Sequence, residues 1–168
     1  MASEELRGRL AEFLRARHTM TVATVATDGP ETGAPHAAAV WYAVDRELRL
    51  VFLSKASSRH GAHIRSGSRV AVTVADEVED WRDIRGVQLW GRAEALSGAA
   101  KAGALATYLS RFPFVRDLLR EPRLAGAAAG LDVFRFVPER AALTDNRRRE
   151  GADGLFGQEV LQIDRGGP

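Results

Sequence analysis

The apolar positions near the N-terminus follow a helical period. Leu6, Leu10, Phe13 and Leu14 recur every three or four residues, which places them on one face of a helix. Ser3 precedes two glutamates and can cap the helix start. We therefore predict a helix that packs against a core, in preference to a membrane-binding helix, which would need a larger apolar face.

From Thr19 onward the period shortens to two residues, which is typical of β-strands. Turn signals such as Asp28-Gly29-Pro30 and Asp45-Arg46 separate successive apolar stretches. The predicted strands are MTVATVAT, then 35–44, 47–53, 69–74, 86–95, 132–137 and 140–144. Gly91 is expected at a bulge or bend. Consecutive short strands with few helices favour a mainly β, α+β protein: a small antiparallel barrel with peripheral helices.

The pattern predicts few helices and one domain. Short helices are expected at 58–66 and 97–109, with a helical turn at 115–119. We predict a single domain over residues 1–145 and a flexible, charged, Gly-rich tail over 146–168. Within that tail, Glu159–Ile163 could instead form a lone terminal strand.

The stretch from Leu48 to Val74 joins two strands through a turn rich in hydroxyl groups and positive charge. Ser54, Lys55, Ser58 and Arg59 cluster where the short helix would begin. A helix start offers unpaired N–H groups, and a guanidinium beside it completes an anion pocket. A capping arrangement without a ligand has the same sequence signature, so the pattern alone leaves both open.

Composition excludes several kinds of chemistry. The chain has no cysteine, so disulfides, thiolate metal sites and a cysteine nucleophile are excluded. Neither a signal-type apolar stretch nor a membrane-length apolar run is seen, and we expect a cytoplasmic protein. A net charge of only +2, without a clustered basic face, argues against a nucleic-acid partner. The excess of arginine over lysine, with abundant Ala and Gly, suggests a bacterial protein from a GC-rich genome.

The histidines and the common catalytic motifs give no strong signal. His60 and His63 lie one helical turn apart, and a solvated helix face is the favoured interpretation over a metal site. No Gly-x-Ser-x-Gly elbow and no Walker-type loop is present. The alanines 37–39 leave space above the second strand, which could admit a neighbouring element or a flat ligand.

Taken in order, these segments resemble a known family. The first strand with "ATV", the "DGP" turn, the "PHAAAVWY" strand, the "SSRHGAHI" helix start, the "RVAV" strand and the "VQLWGRA" strand resemble the FMN-binding split β-barrel proteins related to pyridoxamine 5′-phosphate oxidase. The resemblance covers roughly Thr19 to Ala95, and "LTDNRRREG" resembles the C-terminal end of one branch. It implies a split antiparallel β-barrel, a homodimer with flavin sites at its interface, and redox chemistry on a small-molecule substrate.

The resemblance also implies which residues bind FMN. Those implied near the phosphate and ribityl chain are Ser54, Lys55, Ser58, Arg59 and His60. Those implied beside the flavin ring are Val40, Trp41, Tyr42, Phe52, Leu53, Gln88 and Trp90. The tryptophans are more commonly core or interface anchors than flavin stackers, and Gln88 could equally be a plain solvent-facing strand residue.

Two departures from the family pattern leave alternatives open. His60 stands where the family usually has Lys, and His63 where Asn is frequent, so phosphate binding would be weaker or pH-dependent. The Arg-x-His substrate signature of true pyridoxamine phosphate oxidases is not evident, and that activity is not predicted. An FMN-dependent oxidoreductase is the leading hypothesis. The alternatives are a deazaflavin-dependent reductase, a haem-binding barrel using His36, His60 or His63, a non-catalytic flavin binder, and an interaction dimer with an empty cleft.

Overall fold

The computed structural model describes residues 2–124, 126, 130–147 and 158–163. Within them the chain forms a single antiparallel sheet and four α-helices. The strands are β1 Thr19–Val25, β2 Pro35–Val44, β3 Leu50–Lys55, β4 Arg69–Ala75, β5 Arg85–Ala95, β6 Leu131–Asp145 and β7 Gln158–Gln162. The helices are α1 Ala2–Arg15, α2 Arg59–Arg65, α3 Gly98–Arg111 and α4 Pro113–Arg120. None of the helices in the described ranges is long and apolar enough to cross a membrane.

The sheet closes on itself as a six-stranded barrel. Its strand order is β3-β2-β1-β4-β5-β6-β7, and β3 also pairs with β6. The first half of β6 closes the barrel against β3, while its second half carries β7. Every pairing is antiparallel. The predicted mainly β, split antiparallel barrel with peripheral helices is therefore confirmed.

The barrel interior is filled by alternate residues of the strands and by α1. Leu10, Phe13 and Leu14 of α1 are buried in the same apolar cluster as Tyr42 of β2. The Tyr42 hydroxyl donates a hydrogen bond of 2.7 Å to the Leu14 carbonyl, and burial raises the pKa of this phenol. The prediction that α1 packs on the core is confirmed.

One prediction about the last strands is wrong. Two strands, 132–137 and 140–144, were expected on either side of Pro138, but β6 is continuous over 15 residues. The register between β5 and β6 shifts between Trp90 and Gly91, and Pro138 lies opposite Gly91 at this bulge. A bulge leaves a residue out of the ladder, so a proline is tolerated there. A Cβ on Gly91 would lie 2.1 Å from the Val137 carbonyl, so only glycine allows this approach.

Two other segments differ from the expected boundaries. The predicted strand 47–53 starts later, at Leu50, because the Asp45 carboxylate accepts hydrogen bonds from the backbone N–H groups of Glu47 and Arg49 and holds a tight turn. Residues 158–162, in the predicted tail, pair with β6 as β7, which matches the alternative of a terminal strand. The domain boundary at residue 145 stays a prediction.

Candidate functional site

The outer surface of the barrel has two halves, and helices cover one of them. Outward residues of β2, β3 and β6 pack beneath α3 and α4 in a second apolar cluster. Its buried members are Ala43, Val51, Leu96, Tyr108, Phe112, Val115 and Val133. This half is a conventional sheet–helix layer.

The other half is uncovered in the described residues and carries small side chains. Because Val22, Val72 and Leu89 point into the core, their strand neighbours point outward. The registers align two rows across β2, β1, β4 and β5: Ala37, Ala23, Ala71 and Trp90, then Ala39, Thr21, Thr73 and Gln88. We call these eight residues the open shelf. Two adjoining grooves of about 480 and 310 Å³ lie along it.

Aromatic side chains stand at both sides of the open shelf. Trp41 points outward at the end of β2, is 46% exposed, and stacks on Phe112 with ring centroids 5.3 Å apart. On the far side the Arg140 guanidinium lies 4.7 Å from the centre of the Trp90 ring. Trp41 and Trp90 thus flank a flat surface of alanine and threonine, and neither is a core residue.

The short helix α2 begins at the predicted position. Ser58 caps it: its hydroxyl accepts a hydrogen bond from the Gly61 N–H at 3.1 Å and donates one to the Lys55 carbonyl at 2.7 Å. A Cβ on Gly61 would meet the Lys55 carbonyl at 2.8 Å, so a glycine lets α2 sit directly against the end of β3. The Ser58 hydroxyl is therefore already engaged in capping, and the Lys55 side chain is exposed.

Arg59, like Lys55, is a predicted phosphate ligand that remains accessible. Its side chain is 57% exposed, and its guanidinium lies 3.9 Å from the Glu31 carboxylate. A cavity of about 610 Å³ lies between α2 and the β1–β2 loop, and both Arg59 and Ser57 line it. The Glu31 contact is at the outer limit for an ion pair, so Arg59 is loosely held.

The prediction that His60 and His63 lie on a solvated helix face is wrong. Both are buried, at 6% and 8% exposure, because α2 lies across the end of the barrel. His63 Nδ1 is 3.0 Å from the Thr24 hydroxyl, and His60 Nε2 is 2.7 Å from the Ser54 hydroxyl. The second imidazole nitrogen of His60 is buried and has no hydrogen-bond partner among the described residues.

His36 completes a cluster of three imidazoles. Its ring stacks on His60 at 5.8 Å and meets the His63 ring edge-on at 6.2 Å. Burial, and then the neighbouring His36 and His63, lower the pKa of His60, so this imidazole stays neutral where a family lysine would be charged. Within the described ranges no group of three or more potential ligands is arranged to hold a metal ion. His36 also lines the larger shelf groove, and His63 lines the Arg59 cavity, so the imidazoles lie between the two spaces.

Four of the residues implied beside the ring lie away from the open shelf. The side chains of Tyr42 and Phe52 are fully buried in the barrel core, where Phe52 stacks on Phe134. Val40 packs against the same core from within, and Leu53 packs at the edge of the helix-covered cluster. Tyr42 and Phe52 are 0% exposed as whole residues, so neither faces the open shelf. Trp41, Gln88 and Trp90 do lie on or beside the shelf.

The sequence interpretation missed half of the shelf. Thr21, Ala23, Ala71 and Thr73 were assigned to strands but not to a site, although the space above the alanines of β2 was noted. A signal was present: β1 and β4 alternate large core residues with Ala and Thr. What was lacking was the register that sets these small residues side by side.

The C-terminal "TDN" motif has a structural role in the described residues. Asp145 contacts the Arg85 guanidinium at 3.2 Å, and the Asn146 side-chain amide donates to the Trp81 carbonyl at 2.7 Å. Both therefore anchor the β4–β5 connection to the end of β6. Arg147 contacts Asp145, while Arg148 and Arg149 lie outside the described residues.

Comparisons with known proteins agree with this architecture. The chain is 31% identical over 117 residues to a UPF0306 protein of Serratia proteamaculans, covering 69% of this chain and 78% of that one. The structure of a heme-binding protein from Mycobacterium smegmatis matches with a TM-score of 0.68 at 18% identity, over 93% of this chain and 57% of that one. A FAD-binding protein from Mesorhizobium loti matches with a TM-score of 0.58 at 21% identity, over 79% and 89%.

A sequence model of a protein family also matches this chain. The family is described as pyridoxamine 5′-phosphate oxidase, and the match extends over residues 6–145, from α1 to the last residue of β6. The span includes the whole six-stranded barrel, the open shelf and the Arg59 cavity. The chain belongs to the pyridoxamine 5′-phosphate oxidase family.

Proposed function

We propose that this protein binds FMN on the open shelf and uses it as an oxidoreductase on a small molecule. The observation that carries the proposal is the uncovered, flat surface of Ala and Thr between Trp41 and Trp90, beside a cavity that holds an accessible arginine. Bound FMN would supply the hydride or electron transfer; the chain's own residues would bind and orient it.

The shelf suits a planar ring. A sheet face bearing large side chains would hold a ring away from the backbone, whereas alanine and threonine at Ala23, Ala39, Ala71, Thr21 and Thr73 allow a close, flat approach. Gln88 and Trp90 lie at the β5 side and provide an amide and an indole at the ring edge. The shelf is part of the surface and has the mixed apolar and polar character common in ligand sites.

The phosphate would bind in the Arg59 cavity. A guanidinium forms charge-assisted, bidentate hydrogen bonds with phosphate, and the Ser57 hydroxyl lines the same space. His60 is neutral and engaged with Ser54, so Arg59 supplies the positive charge here. Lys55 is exposed near the start of α2 and can add a second cation.

We further propose a homodimer in which a second copy covers the open shelf. The shelf and its neighbours leave Trp41 and Val25 more than 40% exposed, an arrangement that a partner surface would bury. A ring lying between two shelves would be shielded from water on both faces. Light scattering of the purified protein measures this directly.

Haem binding is the second candidate that the described residues address. Two of the three suggested iron ligands, His60 and His63, are buried and each has a ring nitrogen at hydrogen-bond distance from a hydroxyl. His36 is half-buried and lines the shelf groove. A deazaflavin would bind to the same shelf and the same Arg59, so it is titrated alongside FMN. A non-catalytic flavin binder would differ from an enzyme only in lacking turnover.

The visible spectrum of the purified protein, followed by titration with FMN, tests the proposal. We expect saturable FMN binding with bands that bleach on reduction by dithionite. Arg59→Ala should weaken FMN binding by about 2 kcal/mol, or roughly thirtyfold, because a charge-assisted bond to phosphate is lost. The control is Arg120→Ala, an exposed helical arginine outside the site.

Three results would contradict the proposal. A colourless protein that fails to bind added FMN would show that the protein is not a flavoprotein. A Soret band, together with unchanged FMN binding in Arg59→Ala, would show that the cofactor is haem. Tight binding of a deazaflavin but not of FMN would show that the cofactor is a deazaflavin, and the proposed site would stand. Reduction by a nicotinamide cofactor under steady-state conditions then separates an enzyme from a binder.

A further inference from the structure

A further cavity lies away from the shelf, between α3 and the β2–β3 turn. It has a volume of about 1090 Å³ and shares no lining residue with the shelf grooves or the Arg59 cavity. Its charged lining consists of Arg15, Arg46, Arg49, Arg111, Arg135, Asp45 and Glu47. We call it the arginine groove.

Both carboxylates in the groove form ion pairs with the same arginine. Arg49 contacts Asp45 at 2.6 Å and also pairs with Glu47. A second arginine, Arg135, is neutralised from outside the groove, by Glu94 at 2.6 Å. Counting Glu94, the five arginines exceed the three carboxylates by two charges.

Three guanidinium groups remain without a carboxylate. Arg15 and Arg46 are exposed, and neither makes an ion pair with any residue that the structure describes. Arg111 is half-buried and donates one hydrogen bond of 3.1 Å to the Arg17 carbonyl, which fixes its position without balancing its charge. Three like charges along one groove repel each other unless an anion lies between them.

The side of α3 forms one wall of the groove, from Ala99 in its first turn to Arg111 at its end. Ala99 and Ala100, in the first turn of this 14-residue helix, line the groove, and the side chain of Ser97 makes no capping hydrogen bond. The first N–H groups of α3 therefore lack a side-chain acceptor. Because the lining residues recur from the first turn of α3 to its last, the side of the helix faces the groove, and the arginines carry the argument for an anion.

The helical wall leaves room for a ligand. Its residues are small, and a Cβ added at Gly103 would meet nothing within 4 Å. Thr107 and Ser110 contribute hydroxyl groups further along the wall. The volume is at the upper end of the range for small-molecule sites.

We infer that the arginine groove binds a small phosphorylated molecule, at a site separate from the flavin shelf. The planar forks of Arg15, Arg46 and Arg111 match phosphate oxygens, and the excess of two positive charges favours a ligand with more than one negative charge. A diphosphate group meets both conditions.

Isothermal titration with pyrophosphate, at fixed ionic strength, tests the inference. We expect saturable binding of one pyrophosphate per chain. The Arg15→Ala/Arg46→Ala double variant should bind at least about tenfold more weakly, because two charge-assisted contacts are lost. Both residues are exposed and unpaired, so the variant should fold normally, which circular dichroism checks. Arg120→Ala, on α4, should bind within twofold of wild type.

Two further arms separate this site from other sources of binding. Pyrophosphate binding should persist when FMN is present in excess, and it should be unchanged in Arg59→Ala. If binding is lost in Arg59→Ala but not in the double variant, pyrophosphate occupies the flavin site and the inference is overturned. Citrate should bind more weakly than pyrophosphate, and the reverse order would overturn the phosphate class. No saturable binding, or an equal loss in Arg120→Ala, would overturn the groove itself.

Discussion

The two halves of the barrel's outer surface are built on the same sheet but differ in what lies above them. Over β2, β3 and β6 the helices α3 and α4 place Tyr108, Phe112 and Val115 on a floor of small and β-branched residues. On the open half the floor is Ala and Thr over β2, β1 and β4, with Gln88 and Trp90 on β5, but nothing in the described residues covers it. A small-residue floor thus creates space in both places.

The difference teaches how the space is filled. On the covered half the chain supplies its own large side chains, and the result is stability. On the open half the same kind of floor is uncovered in the described residues, and we propose that a molecule from outside fills it. Trp41 lies at the boundary, since it stacks on Phe112 of the covered half and flanks the open shelf.

Phe112→Ala should produce the largest effect, on the covered half. Phe112 is 4% exposed and contacts the rings of Tyr108, Trp41 and His18. Removing it should lower the free energy of unfolding by about 3–5 kcal/mol, the usual range for a buried phenylalanine. Urea unfolding measures the change. Phe114→Ala is the matched control, because Phe114 is 51% exposed and should cost less than about 1 kcal/mol; equal losses would mean that the covered half is not a core.

Ala39→Arg should have the opposite profile, on the open half. Ala39 is exposed at the β2 edge of the shelf, beside Thr21, so a long charged side chain there can reach over the shelf and obstruct a flat ligand without opening a cavity. FMN affinity should fall at least tenfold, while the free energy of unfolding changes by about 0.5 kcal/mol or less. Fluorescence titration and urea unfolding provide the two readouts. The control Ala102→Arg, at an exposed position on α3, should change neither FMN affinity nor the free energy of unfolding. Unchanged FMN binding in Ala39→Arg would show that the flavin ring does not lie on the shelf.

A smaller effect is expected from the imidazole cluster between the two spaces. The pKa of His60 is lowered from 6.5 in the fold, by burial and then by His36 and His63, while Ser54 and Phe52 pack against the ring without charge. The unfolded chain therefore takes up this proton first, and the free energy of unfolding should fall as the pH drops below about 6.5.

His60→Gln should reduce that slope, and His18→Gln, at an exposed position, should not. Urea unfolding between pH 7.5 and 5, a range of roughly two pH units around the imidazole pKa, gives the comparison. The Asp76 carboxylate contributes in a separate range. Its hydrogen bond with Arg17 lowers the pKa of Asp76 below 3.8, so that contribution is lost only at more acidic pH. An identical slope in His60→Gln and wild type would contradict the role given to the cluster.

Much of the fold could be predicted from the sequence, because the periodicity of its strands is strong. The bounds of β2 and α2 agree with the pattern, and Gly91 lies at a bulge as expected. The prediction of two separate last strands failed because the tertiary structure overrode a local sequence signal. Pro138 signals a strand end, but at a bulge its missing N–H costs nothing in the ladder.

The candidate site was harder to predict, because a site depends on register and on direction. The short spacing of His60 and His63 shows that they share a helix face but not whether that face meets water or the barrel end. Likewise, Thr21 and Thr73 are distant in sequence and become neighbours only through the pairing of β1 with β4. The position of Arg59 at the start of α2 could be predicted because a helix start is a local signal, and its role in phosphate binding stays a prediction.

A crystal structure of the protein with FMN tests the central claim most directly. The account predicts that the flavin ring lies flat over Ala39, Thr21 and Thr73, with the phosphate at the Arg59 guanidinium and a second copy above the ring. A ring bound in the arginine groove, or a phosphate held away from Arg59, would contradict it.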